Sequence, residues 1–272
     1  MADAKAQARR QWNRTPCGTR GVTRARHDRK FFEEVRDRRY RLDDPWIPRA
    51  VDFGAWRGKR VLEIGYGMGT DLAEFASKGA RVSGVDLTPG HHDLARRHFA
   101  QRRLKGDLRL ADAARLPYPE GRFDLVYSNG VLHHTPDTDK CFAEAYRVLK
   151  PGGTFWVALY HRFSAFHLLS KVLNDGLLEG NLRRLGYDGL MATLEHGADG
   201  VTVKPLVKTY GAGRLGRMLT AFRDVKVSVH HLRRDHFSVL ARLVPEALVP
   251  RLEGRLGWYV VGTAVKPGGA AR

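Results

Sequence analysis

A glycine-rich turn after an apolar segment is the first feature of this sequence that could hold a ligand. Gly65, Gly67 and Gly69 follow the apolar segment 60–64, and Thr70 begins a helical pattern. Glycine lets a backbone turn tightly and lie against a ligand without Cβ clashes. The helix N-terminus beyond offers unpaired N–H groups to a carboxylate. Dinucleotide enzymes use a similar turn, so the glycines alone do not identify the ligand.

Three carboxylates near this turn narrow the choice of ligand. Glu63 lies in the strand before the loop, where an acid suits a cationic amino group better than a pyrophosphate. Asp86 ends the second predicted strand, where a carboxylate can accept hydrogen bonds from both ribose hydroxyls. Asp112 follows the third strand and can accept from an adenine amino group. Each acid alone could be a surface or capping residue. Together, at the ends of three successive strands, they indicate a site for a nucleoside that carries an amino acid.

Histidines and a tyrosine follow the later strands and could act on an acceptor. Histidine is the natural base near neutral pH, and only one of the adjacent His133 and His134 should face the ligand. We predict that His133 does, although a structural role in the loop weighs equally. After the fifth strand, Tyr160 could bound the pocket, His161 could act as a base and Arg162 could hold an anion. A lid-anchoring role for these three weighs equally.

The remaining histidines and the two cysteines are expected to have no catalytic role. His230 and His231 would point to opposite faces of a strand, and no helical H-x-x-x-H pair exists, so we expect no metal. His91 would open a solvent-exposed helix. Cys17 has no partner motif and Cys141 falls beside core residues. Two cysteines are too few for a disulfide framework and favour a reducing cytoplasm.

These residues need a sheet whose strands end at one edge. The hydrophobic pattern predicts strands at 60–64, 81–85, 108–110, 123–128, 154–159, 225–229 and 258–265. Helices are predicted between the early strands, at about 70–78, 88–103 and 139–149. This alternation predicts an α/β fold with a doubly wound, mostly parallel sheet of seven strands.

One main domain, over residues 54–267, is expected to carry this sheet, with a short tail at 268–272. Residues 161–222 are predicted to form an inserted substrate lid. Residues 1–53 are predicted to form a basic N-terminal arm with lid helices, of which 1–27 would be a flexible arm that folds over a ligand.

Two predictions concern single residues of that arm, namely a helix N-cap and a set of lid contacts. Asp44 before Pro45 predicts a helix N-cap with proline at the first helical position. Gln11, Trp12, Asn13 and Tyr40 are candidate lid contacts.

The net charge of +18 is concentrated at the two ends of the chain. Residues 1–50 carry +7, residues 51–200 carry +2 and residues 201–272 carry +9. A basic end can attract an anionic substrate or nucleic acid. Because the basic residues are scattered, a solvated arginine-rich surface is the favoured interpretation. No apolar run approaches the ~20 residues that span a bilayer, and no secretory leader is recognisable.

The central residues resemble a known family. The runs VLEIGYGMGTDL, VSGVDLTPG, LADAARLPYPEGRFDLVYSNGVLHHTPD and RVLKPGGTFWV look like class I S-adenosylmethionine (SAM)-dependent methyltransferases, and more narrowly like the type 11 group that includes ubiquinone and menaquinone methyltransferases. The resemblance covers about residues 60–160. It implies SAM as cofactor, with the following sites: Glu63, Gly65, Tyr66, Gly67, Gly69 and Thr70 at the methionine end, Asp86 and Leu87 at the ribose, Asp112 and Ala113 at the adenine, and Asn129 near the sulfonium. Tyr66 departs from the small residue usual there, and its ring would pack on the lid or narrow the transfer channel.

The resemblance implies a methyltransferase but assigns no substrate, and the leading hypothesis is an enzyme that methylates a small-molecule acceptor in specialised metabolism. An RNA methyltransferase is the alternative, because similar loops occur in wobble-uridine modifying enzymes and the ends of this chain are basic. Against it, the sequence has no Asn-Pro-Pro-Tyr-like motif and no appended RNA-binding module. A non-catalytic SAM-fold partner protein is a third possibility, but it would require a damaged cofactor site.

Overall fold

The computed structural model describes residues 2–14, 16, 22, 28–195 and 206–268. Cys17, the predicted tail beyond Gly268 and residues 196–205 of the predicted lid lie outside these ranges. In the described part of the chain, no helix is long and apolar enough to cross a membrane.

Within the described residues, seven strands form one sheet. They are β1 (Arg60–Ile64), β2 (Arg81–Asp86), β3 (Gly106–Leu110), β4 (Phe123–Asn129), β5 (Leu149–Tyr160), β6 (Arg223–His230) and β7 (Tyr259–Val265). Their order is β3-β2-β1-β4-β5-β7-β6. The first five strands pair in parallel, and β7 runs antiparallel to both β5 and β6. The predicted α/β class and mostly parallel sheet of seven strands are confirmed.

The centre of the sheet explains where a ligand can bind. Strand β1 is buried on both faces, with Val61, Leu62 and Ile64 at most 1% exposed, as a parallel strand covered by helices requires. The chain runs from β1 outward to β3 and then returns to place β4 on the other side of β1. The direction of winding therefore changes between β1 and β4, and a crevice opens at the carboxyl ends of these strands.

Helices cover both faces of the sheet. The α-helices are α1 (Ala2–Arg14), α2 (Arg29–Arg38), α3 (Ile47–Ala50), α4 (Thr70–Ser77), α5 (Pro89–Gln101), α6 (Thr138–Val148), α7 (Asn181–Ala192), α8 (Ala212–Met218) and α9 (Val249–Leu256). A π-helical turn, Arg39–Asp43, extends α2, and a π-helix spans Phe166–Leu178. Short 3-10 turns occur at Phe53–Trp56, Leu132–His134, Thr193–Glu195, Arg234–Leu243 and Glu246–Leu248.

The N-terminal region differs from the prediction in two places. Residues 2–14 of the predicted flexible arm form helix α1. The predicted N-cap at Asp44 is wrong, because α3 begins only at Ile47. The Asp44 carboxylate instead accepts hydrogen bonds from the Trp46 indole at 3.1 Å and from Arg39 at 3.3 Å. These two donors hold the carboxylate away from the helix end.

Candidate active site

The glycine-rich loop has the backbone conformation that only glycine adopts readily. Gly65, Gly67 and Gly69 have φ values of 77°, 54° and 73°, in the left-handed region. A Cβ on Gly65 would lie 2.4 Å from the side chain of Val131, whereas nothing lies within 4 Å of that position on Gly67. The loop thus packs against the turn after β4 at Gly65 and leaves open space beside Gly67.

A cavity of about 510 Å³ extends from this loop, within the range of about 300–1,000 Å³ that small-molecule sites occupy. All three predicted acids, Glu63, Asp86 and Asp112, line it. The other predicted cofactor residues on its wall are Gly65, Tyr66, Gly67, Thr70, Leu87, Ala113 and Asn129. Gly69 is not on the wall, because it caps α4 and faces Phe99 and Ala95 of α5.

Glu63 is a buried acid with unused hydrogen-bonding capacity. Its side chain is 4% exposed, and its Oε2 atom has no hydrogen-bond partner among the described residues. Burial, reinforced by the nearby Asp71 carboxylate, raises the pKa of Glu63 well above its usual value. A buried carboxylate oxygen without a donor is costly. A cationic group in the cavity would remove this cost.

Asp86 and Asp112 are already engaged by donors. Asp86 accepts hydrogen bonds from the backbone N–H groups of Gly67 at 2.9 Å and Thr88 at 2.8 Å, which ties the glycine loop to β2. Asp112 accepts from the Ala114 N–H at 2.9 Å and pairs with Lys5 of α1. Burial is the largest single effect and opposes ionisation of Asp112, but the hydrogen bonds from Lys5 and the Ala114 N–H, together with the nearby lysine charges, outweigh it and lower the pKa of this carboxyl.

The Tyr66 ring packs against β2. A Cβ on Gly84 of β2 would come 2.6 Å from the Tyr66 ring, so the ring occupies the space that this glycine leaves. Its hydroxyl forms a hydrogen bond with Nδ1 of His92 at 2.8 Å. The large side chain is 3% exposed and also lines the cavity, so its packing on a lid or its narrowing of the transfer channel stays a prediction.

The two histidines after β4 are placed opposite to the prediction. His134 lines the cavity, whereas His133 is absent from its wall and fully buried. The His133 ring packs on the Tyr160 ring with centroids 3.8 Å apart. Burial lowers the pKa of His133 well below its usual value. In the 3-10 turn Leu132–His134, Leu132 and His133 fill the space beneath the turn, and this leaves His134 at the surface of the cavity.

The three candidate residues at the end of β5 likewise differ in whether they line the cavity. Tyr160 lines the cavity, but His161 and Arg162 do not. His161 points to the other face, where Nδ1 bonds to the Gly257 carbonyl at 3.0 Å, and burial lowers its pKa. Alternation at the end of β5 explains why Tyr160 and His161 differ, because successive side chains point to opposite faces.

Other histidines also differ from expectation or stay structural. His91, predicted to be exposed, is 4% exposed and lies 3.4 Å from Asp86. Among the described residues, no three His, Cys, Asp or Glu side chains lie together as a metal site requires. His231 packs against the rings of His236 and Tyr259.

Helix α1 covers the cavity and contacts both of its ends. Lys5 reaches Asp112, and Asn13 accepts a hydrogen bond from the Gly90 N–H at 2.8 Å. The Trp12 ring lies edge-on to His134, with centroids 5.8 Å apart. Trp12 and Asn13 thus lie where the sequence predicted lid contacts, while the side chain of Gln11 lies outside the described part of the structure.

An ion-pair network surrounds Asp71 in the first turn of α4 and was not predicted from the sequence. Asp71 of α4 accepts two hydrogen bonds from Arg39, at 2.8 and 2.9 Å. The hydroxyls of Tyr40 and Tyr127 donate to the same carboxylate at 2.8 and 2.9 Å. Tyr40, a candidate lid contact, therefore helps to anchor the N-terminal helices to the methionine end of the predicted site.

The residues present fit a SAM molecule. An unpartnered buried carboxylate, an open glycine cradle beside Gly67 and two further acids at the ends of β2 and β3 share one cavity. These groups match the ammonium, ribose and adenine of the cofactor in charge and in hydrogen-bonding character.

The fold and the residues of this site resemble those of class I SAM-dependent methyltransferases. Within that class, residues 62–157 match the family described as a methyltransferase domain. A demethylmenaquinone methyltransferase of Thermus thermophilus is 39% identical over 112 residues, which are 40% of this chain and 50% of that protein. A ubiquinone biosynthesis O-methyltransferase of Thiobacillus denitrificans is 29% identical over 198 residues, with 66% of this chain and 81% of the relative covered.

A third relative shares the domain alone. The sterol 4-C-methyltransferase of Caenorhabditis elegans is 34% identical over 98 residues, which are 35% of this chain and 29% of that protein. The chain therefore spans half or less of the length of two of these three relatives.

Solved structures share the fold at low sequence identity. The [4+2]-cyclase SpnF has a TM-score of 0.59 and 19% identity, with 97% of each chain covered. A SAM-dependent methyltransferase of Aquifex aeolicus has a TM-score of 0.52 and 16% identity, with 88% of this chain and 98% of that chain covered. Because one of these proteins is named as a cyclase, the fold alone does not fix the reaction.

Proposed function

We propose that this protein transfers the methyl group of SAM to a small-molecule acceptor. The observation that carries the proposal is the buried, unpartnered Oε2 of Glu63 in a cavity that also holds the carboxylates of Asp86 and Asp112. SAM would supply a methyl group activated by a sulfonium. The protein would supply binding, alignment and exclusion of water.

The proposed site roles follow the cavity wall. Glu63 would accept from the ammonium, Asp86 from the ribose and Asp112 from the adenine, with Thr70 at the start of α4 near the carboxylate. Leu87, Ala113 and Asn129 would contact the same ligand. Tyr160 would bound the acceptor end, where it shares the wall with Tyr259.

We further propose that residues 1–53 and 161–222 act as lids on a core domain of residues 54–267. Contacts of α1 with Asp112 and His134 support the first lid. Leu194, on the cavity wall, supports the second. A reducing cytoplasm is the proposed setting, because Cys141 is a buried free thiol.

The basic residues at the cavity do not favour an anionic acceptor. Arg162, the residue that suggested one, lies off the cavity. The basic residues Lys5, Arg38 and Arg39 on the cavity wall each pair with a carboxylate. The described cavity thus offers an acceptor aromatic surface more than positive charge.

Two measurements test the proposal. Isothermal titration calorimetry with SAM should show binding that Asp86→Ala weakens, since the ribose loses its acceptor. Wild-type protein with methyl-labelled SAM should then label compounds in a small-molecule extract, and should leave a parallel pool of RNA unlabelled. Absence of SAM binding would remove both enzyme hypotheses, and label in the RNA alone would favour the RNA alternative.

A further inference from the structure

We infer that His134 is the general base of the reaction and that the acceptor atom is a hydroxyl oxygen. The inference rests on the proposed function and adds the acceptor class to it. It differs from the sequence-based assignment, which favoured the neighbouring His133. Three structural observations carry it: the hydrogen bond that sets the tautomer of the His134 ring, the hydrogen bonds of the neighbouring Lys208, and the position of the ring in the cavity.

The hydrogen bond at Nδ1 fixes the tautomer of His134. Nδ1 lies 2.9 Å from the carbonyl oxygen of Leu206. A carbonyl can only accept a hydrogen bond, which assigns the proton to Nδ1. In the neutral imidazole, Nε2 then carries the lone pair. This is the tautomer that a base needs, and it is selected by the protein before any ligand binds.

The residues that follow Leu206 form hydrogen bonds with the histidine turn and with the residues after it. The N–H of Lys208 donates to the His133 carbonyl at 3.1 Å. The Lys208 ammonium donates to the Pro136 carbonyl at 2.9 Å and to the Thr138 hydroxyl at 3.1 Å. These contacts bracket His134 on both sides along the chain. The imidazole is therefore oriented in advance, as catalytic groups require.

The ring of His134 stands at the acceptor end of the cavity. Tyr160 lies edge-on to it, with centroids 5.8 Å apart, and Trp12 of the covering helix lies at the same distance. His133 cannot take the same role from its place beneath the turn, since it is fully buried and off the cavity wall. His161 is also off the wall, and its Nδ1 faces Gly257.

A base is needed only for certain acceptors. An amine with a free lone pair or a thiolate attacks without losing a proton to the protein, whereas a neutral hydroxyl becomes a good nucleophile only as its proton leaves. Nε2 of His134 would take that proton while the oxygen electron pair forms the new C–O bond. The electron pair of the broken C–S bond stays on sulfur, and the imidazolium later releases its proton to water.

The first test reads the tautomer and needs no acceptor. The protein with ¹⁵N-labelled histidine and bound S-adenosylhomocysteine is studied by long-range ¹H–¹⁵N NMR at mildly alkaline pH. His134 is assigned as the signal missing from His134→Phe. We expect the Nδ1–H tautomer for this residue. An Nε2–H tautomer would overturn the inference while leaving SAM binding, and thus the proposed function, intact.

The second test reads catalysis on hydroxyl-bearing products labelled in the small-molecule extract. His134→Phe keeps a ring against Trp12, so it should bind S-adenosylhomocysteine like the wild type but lose about 100- to 10,000-fold in kcat/KM. His134→Gly should regain part of its turnover when imidazole is added. Wild-type turnover in His134→Phe, or a comparable loss in Tyr160→Phe without imidazole rescue of His134→Gly, would overturn the assignment. A wild type that binds SAM but labels no small molecule would overturn the proposed function itself.

Discussion

Removing the charge of Asp71 should destabilise the protein strongly, although no role was assigned to this residue from the sequence. Its side chain is 3% exposed and its two oxygens accept four hydrogen bonds, two from Arg39 and one each from Tyr40 and Tyr127. Burial is the largest single effect on Asp71 and opposes its ionisation. The charge and hydrogen bonds of Arg39 and the two tyrosine hydroxyls together outweigh burial and lower the pKa of Asp71. The native state thus requires this carboxylate in its ionised form.

The size of the effect follows from what a substitution leaves behind. Asp71→Asn replaces one acceptor oxygen by a donor that faces Arg39 or a tyrosine hydroxyl. It also leaves the guanidinium with Asp44 alone, at 3.3 Å. Breaking a buried pair by removing one charge costs about 3–5 kcal/mol. This is a large part of the ~5–15 kcal/mol that stabilises a typical protein. Replacing both charges, as in Arg39→Met with Asp71→Leu, should cost less than the sum of the single changes, by about 2–3 kcal/mol.

Urea denaturation followed by circular dichroism measures this prediction. With a slope of about 3 kcal/mol per M, Asp71→Asn should lower the midpoint by roughly 1–2 M. Asp175→Asn is a matched control, since Asp175 pairs with Lys171 at 2.7 Å but is 28% exposed, and it should cost about 1 kcal/mol or less. A cost for Asp71→Asn no larger than for the control, or additive single and double variants, would show that the network does not act as a buried unit.

Three further predictions concern the cavity and its supports. Glu63→Gln should weaken SAM binding by about 10- to 150-fold in calorimetry, since a hydrogen bond to a charged group is worth about 1.5–3 kcal/mol; unchanged affinity would separate Glu63 from the ammonium. Lys5→Ala should tighten SAM binding by up to about fivefold, because Lys5 occupies Asp112 through a pair that is about one third exposed and worth about 1 kcal/mol or less; weaker binding would mean that Lys5 assists the cofactor. Burial lowers the pKa of His98 to about 4, so the unfolded chain binds the extra proton as pH falls below 6.5. Stability should therefore decline between pH 6.5 and 4 by about 3 kcal/mol from this group, and urea midpoints of His98→Phe should change less over that window.

The cofactor half of the site could be predicted because its geometry follows from strand order. Glu63, Asp86 and Asp112 lie at the ends of β1 to β3, and parallel neighbours must bring their carboxyl ends together. The glycine loop was equally predictable from the sequence, since the positive φ values at its three glycines disfavour other residues. The direction in which each side chain of a short turn points could not be predicted from the sequence. Which of His133 and His134 faced the cavity depended on the space beneath the 3-10 turn, and no periodicity in the sequence reports that space.

Two other features depended on distant parts of the chain. Arg39 and Asp71 are separated by 32 positions, and an acid in the first turn of a helix is normally explained by the helix dipole alone. Helix α1 lacks an apolar stripe, and its buried apolar residue among those described is Ala8. Its contacts with the cavity are polar or aromatic, made by Lys5, Trp12 and Asn13, so its docking could not be predicted from hydrophobic spacing.

Helix α1 also has a consequence for the order of events in a catalytic cycle. Helix α1 contacts Asp112, at the proposed adenine end, through Lys5, and His134, at the proposed acceptor end, through Trp12. As the proposed lid, α1 would uncover both ends of the cavity together, so its opening for the spent cofactor would also expose the acceptor side. The exchange of the two ligands would then be kinetically coupled, and the slower of the two exchanges would set the rate of both.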